Sequence, residues 1–411
     1  MTREECLTRD RVDPIAAHRG NFTLPPNTIY LDGNSLGAMP KATMARLEEV
    51  ARRQWSADLI TSWNRHGWID LPLRVGGKIA RLIGAEATEV AATDSTSVNL
   101  FKVLYAALEM RPTRRKILSE RGNFPTDLYT AEGLTKALGN RHRLELVEAD
   151  KLPAAIDDDT AVVMLTHVNY RSGALHDLKA LTAAAHDAGA LTIWDLAHSA
   201  GAVPLDLTRA NADFAVGCGY KYLNGGPGAP AFLYVAGRHQ AEFVQPLTGW
   251  LGHAAPFAFE TSYRPAPGIA RALCGTPPIL SLAALEVGVD SVLAADAQAL
   301  RAKSMALGDL FIDAVEGQGG DQLGLRLASP RDATHRGSQV SFRHAEGYPI
   351  MQALIARGVI GDFRTPDILR FGFAPLYIRH VDVWDAAAAL IDVVKSRAWD
   401  RPEFKRRAAV T

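Results

Sequence analysis

The runs Ala161-Val162-Val163-Met164-Leu165-Thr166 and Leu191-Thr192-Ile193-Trp194-Asp195, with helical periodicity over 178–188 between them, decide the fold of this chain. Neither run alternates apolar with polar residues. Each therefore reads as a strand buried on both faces, and a helix between two such strands is the repeating unit of a parallel α/β sheet. Toward the N-terminus the same alternation predicts helices over 98–110 and 126–138 and strands over 116–119 and 144–147. Toward the C-terminus it predicts strands over 214–217 and 231–235. Helices over 280–315 then lead into strands near 339–343 and 369–373 and a closing helix over 383–396, which reads as a smaller α+β unit. The first seventy residues read as an arm, with turns at Pro25-Pro26 and Asp32-Gly33-Asn34 and one helix near 43–61.

With 411 residues, 47% of them apolar, the chain can fill a large core and a smaller one. Lys+Arg and Asp+Glu both number 45, so nothing in the charge points to nucleic acid or an anionic membrane, and a small-molecule ligand is expected. Cys6, Cys218 and Cys274 lie far apart, without the pairing of a zinc site or a disulfide framework, which fits a reducing cytoplasm and no bound metal. The charged segment from Met1 to Asp13 has no apolar core of a signal peptide, and no stretch approaches the roughly 18 apolar residues of a spanning helix. A soluble, unexported protein is expected. Lys405-Arg406-Arg407 reads as a solvated end.

Four segments carry chemistry. In Gly217-Cys218-Gly219-Tyr220-Lys221-Tyr222-Leu223-Asn224-Gly225-Gly226-Pro227-Gly228 a lysine sits between a strand and a glycine-dense turn, where backbone can approach a bound group closely. Such a lysine can lose its proton and form an imine; a surface lysine in a glycine loop is the alternative. Asp195 ends its strand before a turn of small residues, where a buried carboxylate can pair with a protonated pyridine nitrogen or can cap the next helix. Asp94-Ser95-Thr96-Ser97 gathers hydroxyls and free N–H groups at a helix start, a phosphate seat or an ordinary N-cap. Phe124-Pro125-Thr126-Asp127 follows another strand and offers an aromatic face for a planar ring, or a core Phe beside a capping Asp. All four fall at the C-terminal ends of strands, where open α/β sheets bind ligands. In the smaller unit Arg370, inside Leu369-Arg370-Phe371-Gly372-Phe373-Ala374-Pro375, can grip a carboxylate with two parallel hydrogen bonds or make a structural salt bridge.

This order resembles the aspartate aminotransferase superfamily of pyridoxal-phosphate (PLP) enzymes, fold type I. Five segments resemble the kynureninase family more specifically. They are Tyr30-Leu31-Asp32-Gly33-Asn34-Ser35-Leu36-Gly37, Asn123-Phe124-Pro125-Thr126-Asp127, His167-Val168-Asn169-Tyr170-Arg171-Ser172-Gly173, Trp194-Asp195-Leu196-Ala197-His198-Ser199-Ala200-Gly201 and Gly219-Tyr220-Lys221-Tyr222-Leu223-Asn224-Gly225-Gly226-Pro227-Gly228. The resemblance implies an N-terminal arm over 1–70, a large PLP-binding domain over 71–285 with a mostly parallel seven-stranded sheet flanked by helices, and a small α+β domain over 286–411. It implies that Lys221 carries the cofactor, Thr96 and Ser97 bind its phosphate, Phe124 stacks on its ring, Asp127 supports it and Asp195 holds its nitrogen. Thr166 and His198 would line the pocket, and Tyr220 would touch the phosphate and serve in proton transfer. Trp250 and Thr276 resemble residues lent to a neighbouring subunit's site, which implies a homodimer.

The implied reaction is hydrolytic Cβ–Cγ cleavage of L-kynurenine to anthranilate and L-alanine, in tryptophan catabolism, with Lys221, Tyr220 and Asp195 catalytic. Thr276 with Gly275 points to kynurenine over its 3-hydroxy derivative. Arg370 would hold the substrate carboxylate and Trp63, near His66 and Trp68, would wall the aryl pocket, unless these aromatics simply pack the arm. A cysteine desulfurase-like lyase and an aminotransferase share the scaffold. The former needs a nucleophilic cysteine on a loop near the small domain, and no cysteine follows Cys274. A non-catalytic regulator would need a separate DNA-binding domain, for which the chain has no room before Val90.

Overall fold

The computed structural model describes residues 1–407. Its large sheet has seven strands, β1 (Val90–Ala92), β2 (Lys116–Glu120), β3 (Arg143–Val147), β4 (Thr160–Thr166), β5 (Leu191–Asp195), β6 (Phe214–Gly217) and β7 (Phe232–Val235). They lie in the order β1-β7-β6-β5-β4-β2-β3. β7 runs antiparallel to both its neighbours, and every other pairing is parallel.

Every residue of β4 and β5 is buried, as expected of strands without polar alternation. Their side chains point to opposite faces in turn: Val163, Leu165 and Trp194 join one apolar cluster, Val162, Met164 and Ile193 another. The register places Thr166 beside Asp195 and Asp195 beside Val216. Three strand ends thus meet at one edge, and Lys221 follows a few residues beyond the third.

Local rules set the helices. Pro125 opens Pro125–Ala137 at a position where no N–H is needed. Asp177 caps Leu178–Asp187 by accepting from the Ala180 N–H at 2.9 Å. The strands Leu191–Asp195, Phe214–Gly217 and Gln339–Arg343 have the expected ends, and the ends of the other predicted elements differ by at most three residues, as fraying caps would produce. Three helices carried too little pattern to be expected. Arg3–Arg11 is charged nearly throughout and buries only Cys6. Gly347–Ala356 has Pro349 in its first turn. Leu71–Ile83 contains Gly76-Gly77, which lowers helix propensity, yet a Cβ on Gly76 would lie 2.2 Å from the Val90 carbonyl oxygen. That glycine lets the helix pack directly on β1.

The smaller unit is an antiparallel sheet of β8 (Arg326–Leu327), β9 (Gln339–Arg343), β10 (Asp362–Arg364) and β11 (Ile368–Gly372), ordered β8-β9-β11-β10. Phe311 of the helix Ala297–Gly317 packs on it, its ring 4.7 Å from that of Phe371. The arm docks here as well. Ile29–Tyr30 pairs in parallel with Val359–Ile360, and Asp10 accepts from the backbone N–H groups of His380 and Val381 at 2.7 and 3.0 Å, capping the helix His380–Lys395 from a distant part of the chain. Arg407 lies over the Tyr348 ring at 5.6 Å, while Lys405, Arg406 and Arg407 all stay exposed to solvent, as a solvated end requires. Among the described residues no helix is long and apolar enough to cross a membrane, and no cluster of three His, Cys, Asp or Glu could hold a metal. All three cysteines are free thiols.

Behind the large sheet, Asp213, 1% exposed, binds His186 Nε2 at 2.8 Å, His239 Nε2 at 2.7 Å, Arg238 Nη2 at 2.8 Å and the Thr192 N–H at 2.8 Å. Burial alone would raise its carboxyl, but the bonds from His186 and His239 overcome that and hold it far below its ordinary 3.8. A carboxyl so depressed contributes its stabilisation fully above its unfolded pKa and loses it as pH falls toward the folded one. Asp213→Ala should cost about 2–4 kcal/mol in urea unfolding at pH 7. The deficit should persist at about pH 5 and shrink only in stronger acid.

Candidate active site

The strand register brings the predicted residues together in two groups. The first surrounds Lys221. Its Nζ lies 3.0 Å from His198 Nε2 and 5.8 Å from the centre of the Tyr220 ring. Asp195, 4% exposed, takes the Ala197 N–H on Oδ1 at 2.7 Å. Asp127, 2% exposed, accepts from Thr166 Oγ1 at 3.3 Å. Asn123, between strand and helix, accepts the Thr166 N–H at 3.0 Å and also its hydroxyl, which fixes that strand end. Phe124 stands half exposed at the mouth, edge-on to Tyr170 at 5.2 Å.

The electrostatics of this group are unbalanced. Burial raises the Asp195 carboxyl, with the Lys221 charge and the Ala197 N–H pulling it back. Asp127 is raised well above the ordinary range, first by burial and then by the Asp195 charge. Two buried carboxyls thus share one ammonium. His198 is driven well below its ordinary value by burial and by the charges of Lys221, Arg370 and Arg364, so it is a neutral imidazole, and its Nδ1 has no partner among the described residues. Burial raises the Tyr220 phenol, which stays protonated as a donor.

The second group lines a cavity of about 560 Å³ that includes Thr96, Ser97, Tyr220, Gly275 and Thr276. Ser95 caps the helix Thr96–Glu109, accepting the Val98 N–H at 3.3 Å, while the N–H groups of Thr96 and Ser97 have no acceptor within the helix. Partial positive charge and hydroxyls therefore face the cavity.

Arg370 is 1% exposed and already engaged. It bonds Asp362 Oδ1 through Nε at 2.7 Å, Asp362 Oδ2 and Ser35 Oγ through Nη2, the latter at 2.8 Å, and the Tyr170 carbonyl through Nη1 at 2.7 Å. The salt-bridge reading is thus realised, with one Nη1 N–H left of a guanidinium's five. Its charge still reaches His198. Asp362, Ser35 and Tyr170 were missed as site residues. Asp362 was legible in principle, since a tight hairpin pairs it directly with Arg370.

Trp63 and Trp250 pack on each other, ring centres 6.3 Å apart, with Trp68 and Phe257 alongside, and neither lines the cavity. His66 binds Asp58 at 2.7 Å and Trp68 Nε1 binds Gln54 at 2.7 Å, as arm packing requires. The arm's own contribution was unforeseen. The Gly37 N–H donates to the Tyr220 carbonyl at 2.8 Å, and a Cβ there would lie 2.3 Å from the Lys221 carbonyl oxygen. Only a glycine lets the arm press on the lysine turn.

The chain is 56% identical over 416 residues to kynureninase from Burkholderia mallei (strain SAVP1) and 54% identical over 415 residues to kynureninase from Pseudomonas fluorescens, each alignment covering 100% of both proteins. A family model described as the kynureninase C-terminal domain matches residues 300–390. The chain belongs to the kynureninase family. Kynureninases are PLP-dependent hydrolases of a carbon–carbon bond, the class the sequence resemblance implied. Two solved structures share the fold. One is a cysteine desulfurase from Thermococcus onnurineus NA1, with TM-score 0.77 and 21% identity over 92% of this chain and 98% of that one. The other is a C-DES mutant with glycine covalently linked to its PLP cofactor, with TM-score 0.78 and 16% identity over 91% and 99%. No thiol suits the desulfurase chemistry: Cys218 is buried, and Cys274 bonds the Leu247 carbonyl.

The residues of this kynureninase fold fit PLP on their own terms. Buried carboxyls short of a cation would suit a pyridinium N–H, the amine of Lys221 would suit an aldehyde, and a helix N-terminus would suit a phosphate. Without the cofactor, raised carboxyls favour their neutral form, so apoenzyme stability should fall as pH rises above about 4. A bound pyridinium offsets that cost. The gain in melting temperature on adding PLP should therefore grow from acid toward neutral pH, and parallel apo and holo melts across that range would measure it.

Proposed function

We propose that the protein hydrolyses L-kynurenine to anthranilate and L-alanine with Lys221 as its acid–base centre. The observation that carries the reading is the meeting of the Lys221 amine with the buried pair Asp195 and Asp127, beside an anion seat at one sheet edge. Bound PLP supplies a sink for the electron pair left on the substrate's α-carbon.

In this reading Asp195 accepts the ring N–H and keeps that nitrogen protonated, Asp127 and Thr166 hold it in line, and Phe124 covers one ring face. Thr96, Ser97 and Tyr220 hold the phosphate. Lys221 removes the α-proton, and the neutral His198 at its side accepts a hydrogen bond without adding charge. The Tyr220 phenol donates toward the γ-carbonyl as water adds there; when the Cβ–Cγ bond breaks, the hydrate leaves as the carboxyl of anthranilate and Cβ takes up a proton to become the methyl of alanine. Arg370, braced by Asp362 and Ser35, offers its remaining N–H to the substrate carboxylate.

Trp250 and Thr276 reach a neighbouring subunit's site in a homodimer, while Trp63 and Gly275 contact the substrate; the exposed Phe257, Phe259 and Leu247 near Trp250 support such a contact. The working divisions are an arm over 1–70, a cofactor domain over 71–285 and a small domain over 286–411. The protein acts in the cytoplasm.

The purified enzyme should convert L-kynurenine to equal amounts of anthranilate and alanine with no keto-acid acceptor; a requirement for such an acceptor would make it an aminotransferase. Lys221→Ala should lose both the visible absorbance of lysine-bound cofactor and all measurable turnover, and retained activity would remove the central assignment. Kynurenine should have the higher kcat/KM over 3-hydroxykynurenine, and Thr276→Asn should narrow that ratio, a shift readable from two sets of initial rates.

A further inference from the structure

The helix Thr96–Glu109 carries a lysine that the reading above does not use. Lys102 is 0% exposed, on a helix that is buried on several sides, with Asn99, Leu100, Val103, Leu104 and Ala106 buried as well. Lysine is rarely buried so completely, and an unpaired ammonium there would cost several kcal/mol. An apolar side chain would fill the same space more cheaply. Its Nζ makes two short bonds, to Asp94 Oδ2 at 2.6 Å and to the Ala272 carbonyl at 2.6 Å.

One partner belongs to the wall of the anion cavity and the other lies three residues before a second lining segment, Gly275 to Pro278. Asp94 lines it and immediately precedes the Ser95 cap. It sits in a left-handed conformation, φ 49°, which Asp and Asn tolerate best, and its carbonyl takes the Ala231 N–H at 2.9 Å. Ala272 ends the short helix Gly268–Ala272, and the chain reaches the lining residues Gly275 and Thr276 three and four residues later. One buried ammonium therefore joins a lining residue of the cavity to the segment that leads into Gly275 and Thr276. It also answers an electrostatic difficulty, because a bare carboxylate beside a phosphate seat would repel the ligand.

We propose that Lys102 is a positioning residue for the phosphate end of the cofactor: it cancels the charge of Asp94 beneath the anion seat and ties that seat to the segment bearing Thr276. The inference rests on the cofactor seat assigned above and deepens it. A merely structural buried lysine would affect all ligands of the pocket alike. Lys102 should affect only those that carry the phosphate.

The test is titration of apoenzyme with PLP and with pyridoxal, which lacks the phosphate, in wild type, Lys102→Met, Asp94→Asn and the double variant, followed by cofactor absorbance. Wild type should strongly prefer PLP; equal affinities would sink the seat itself, whatever Lys102 does. Given that preference, Lys102→Met should weaken PLP by about tenfold or more while pyridoxal changes little, because an uncancelled Asp94 charge then opposes the phosphate. Asp94→Asn should move the preference for PLP upward, because it leaves the cation alone, and the double variant should recover most of the loss. Should Lys102→Met not fold, Asp94→Asn decides by the same ratio. Equal losses for both ligands, an unchanged preference, or a preference that moves the same way in the two single variants would overturn the proposal.

Discussion

Two carboxyls are buried where the sheet ends, and one ammonium stands between them and neutrality. The rest of the site follows from that shortage. Carboxylates so deprived of water are tolerable only if they are neutral, paired or awaiting a cation. Asp127 and Asp195 both have raised pKa values, and Lys221 opposes the rise in each. The parallel register supplies the geometry at no cost in new structure. Thr166, Asp195 and Val216 are already side by side as backbone partners, so the turns that follow must place their side chains around one point.

The second unit and the arm complete this arrangement by constraining where Arg370 can be. Its guanidinium is held by a hairpin partner, an arm hydroxyl and a carbonyl from the loop after β4. Those three contacts come from three separate stretches of chain. A buried guanidinium with a single free N–H is a rigid donor, better suited to fixing an orientation than to searching for one. The arm does the same for the lysine turn, since Gly37 lies against the backbone of Tyr220 and Lys221.

What the sequence revealed tracks how local each signal is. Strands β4 to β6, the lysine turn and the carboxyl of Asp195 were legible because each depends on a few adjacent residues and on their order along the chain. The helix Leu71–Ile83 was hidden because Gly76-Gly77 weakens its local signal, and the reason for those glycines lies in a strand packed against it. Arg370 was found, but its four bonds were not, since two of its three partners, Ser35 and Tyr170, come from other segments and the third, Asp362, needs the hairpin register. Lys102 looked like any helix lysine until its burial was known. Trp63 and Trp250 could be paired only by the fold, which sets them together and away from the anion cavity.

The two ends of the site differ in how their charge is settled, and that difference describes the ligand. At the ring end the protein leaves a surplus of buried carboxyl beyond what Lys221 can balance. At the other end the one carboxylate present, Asp94, is already matched by Lys102, so the field there is that of a helix N-terminus with its hydroxyls. A molecule that satisfies both must carry a proton donor with positive charge at one end and an anion at the other, with a planar body that Phe124 can cover. A neutral aromatic would leave Asp195 unpaired, and a simple anion would leave both carboxyls worse off than before. The fit to PLP thus lies in the difference between the two ends of the site, one short of a cation and the other ready for an anion.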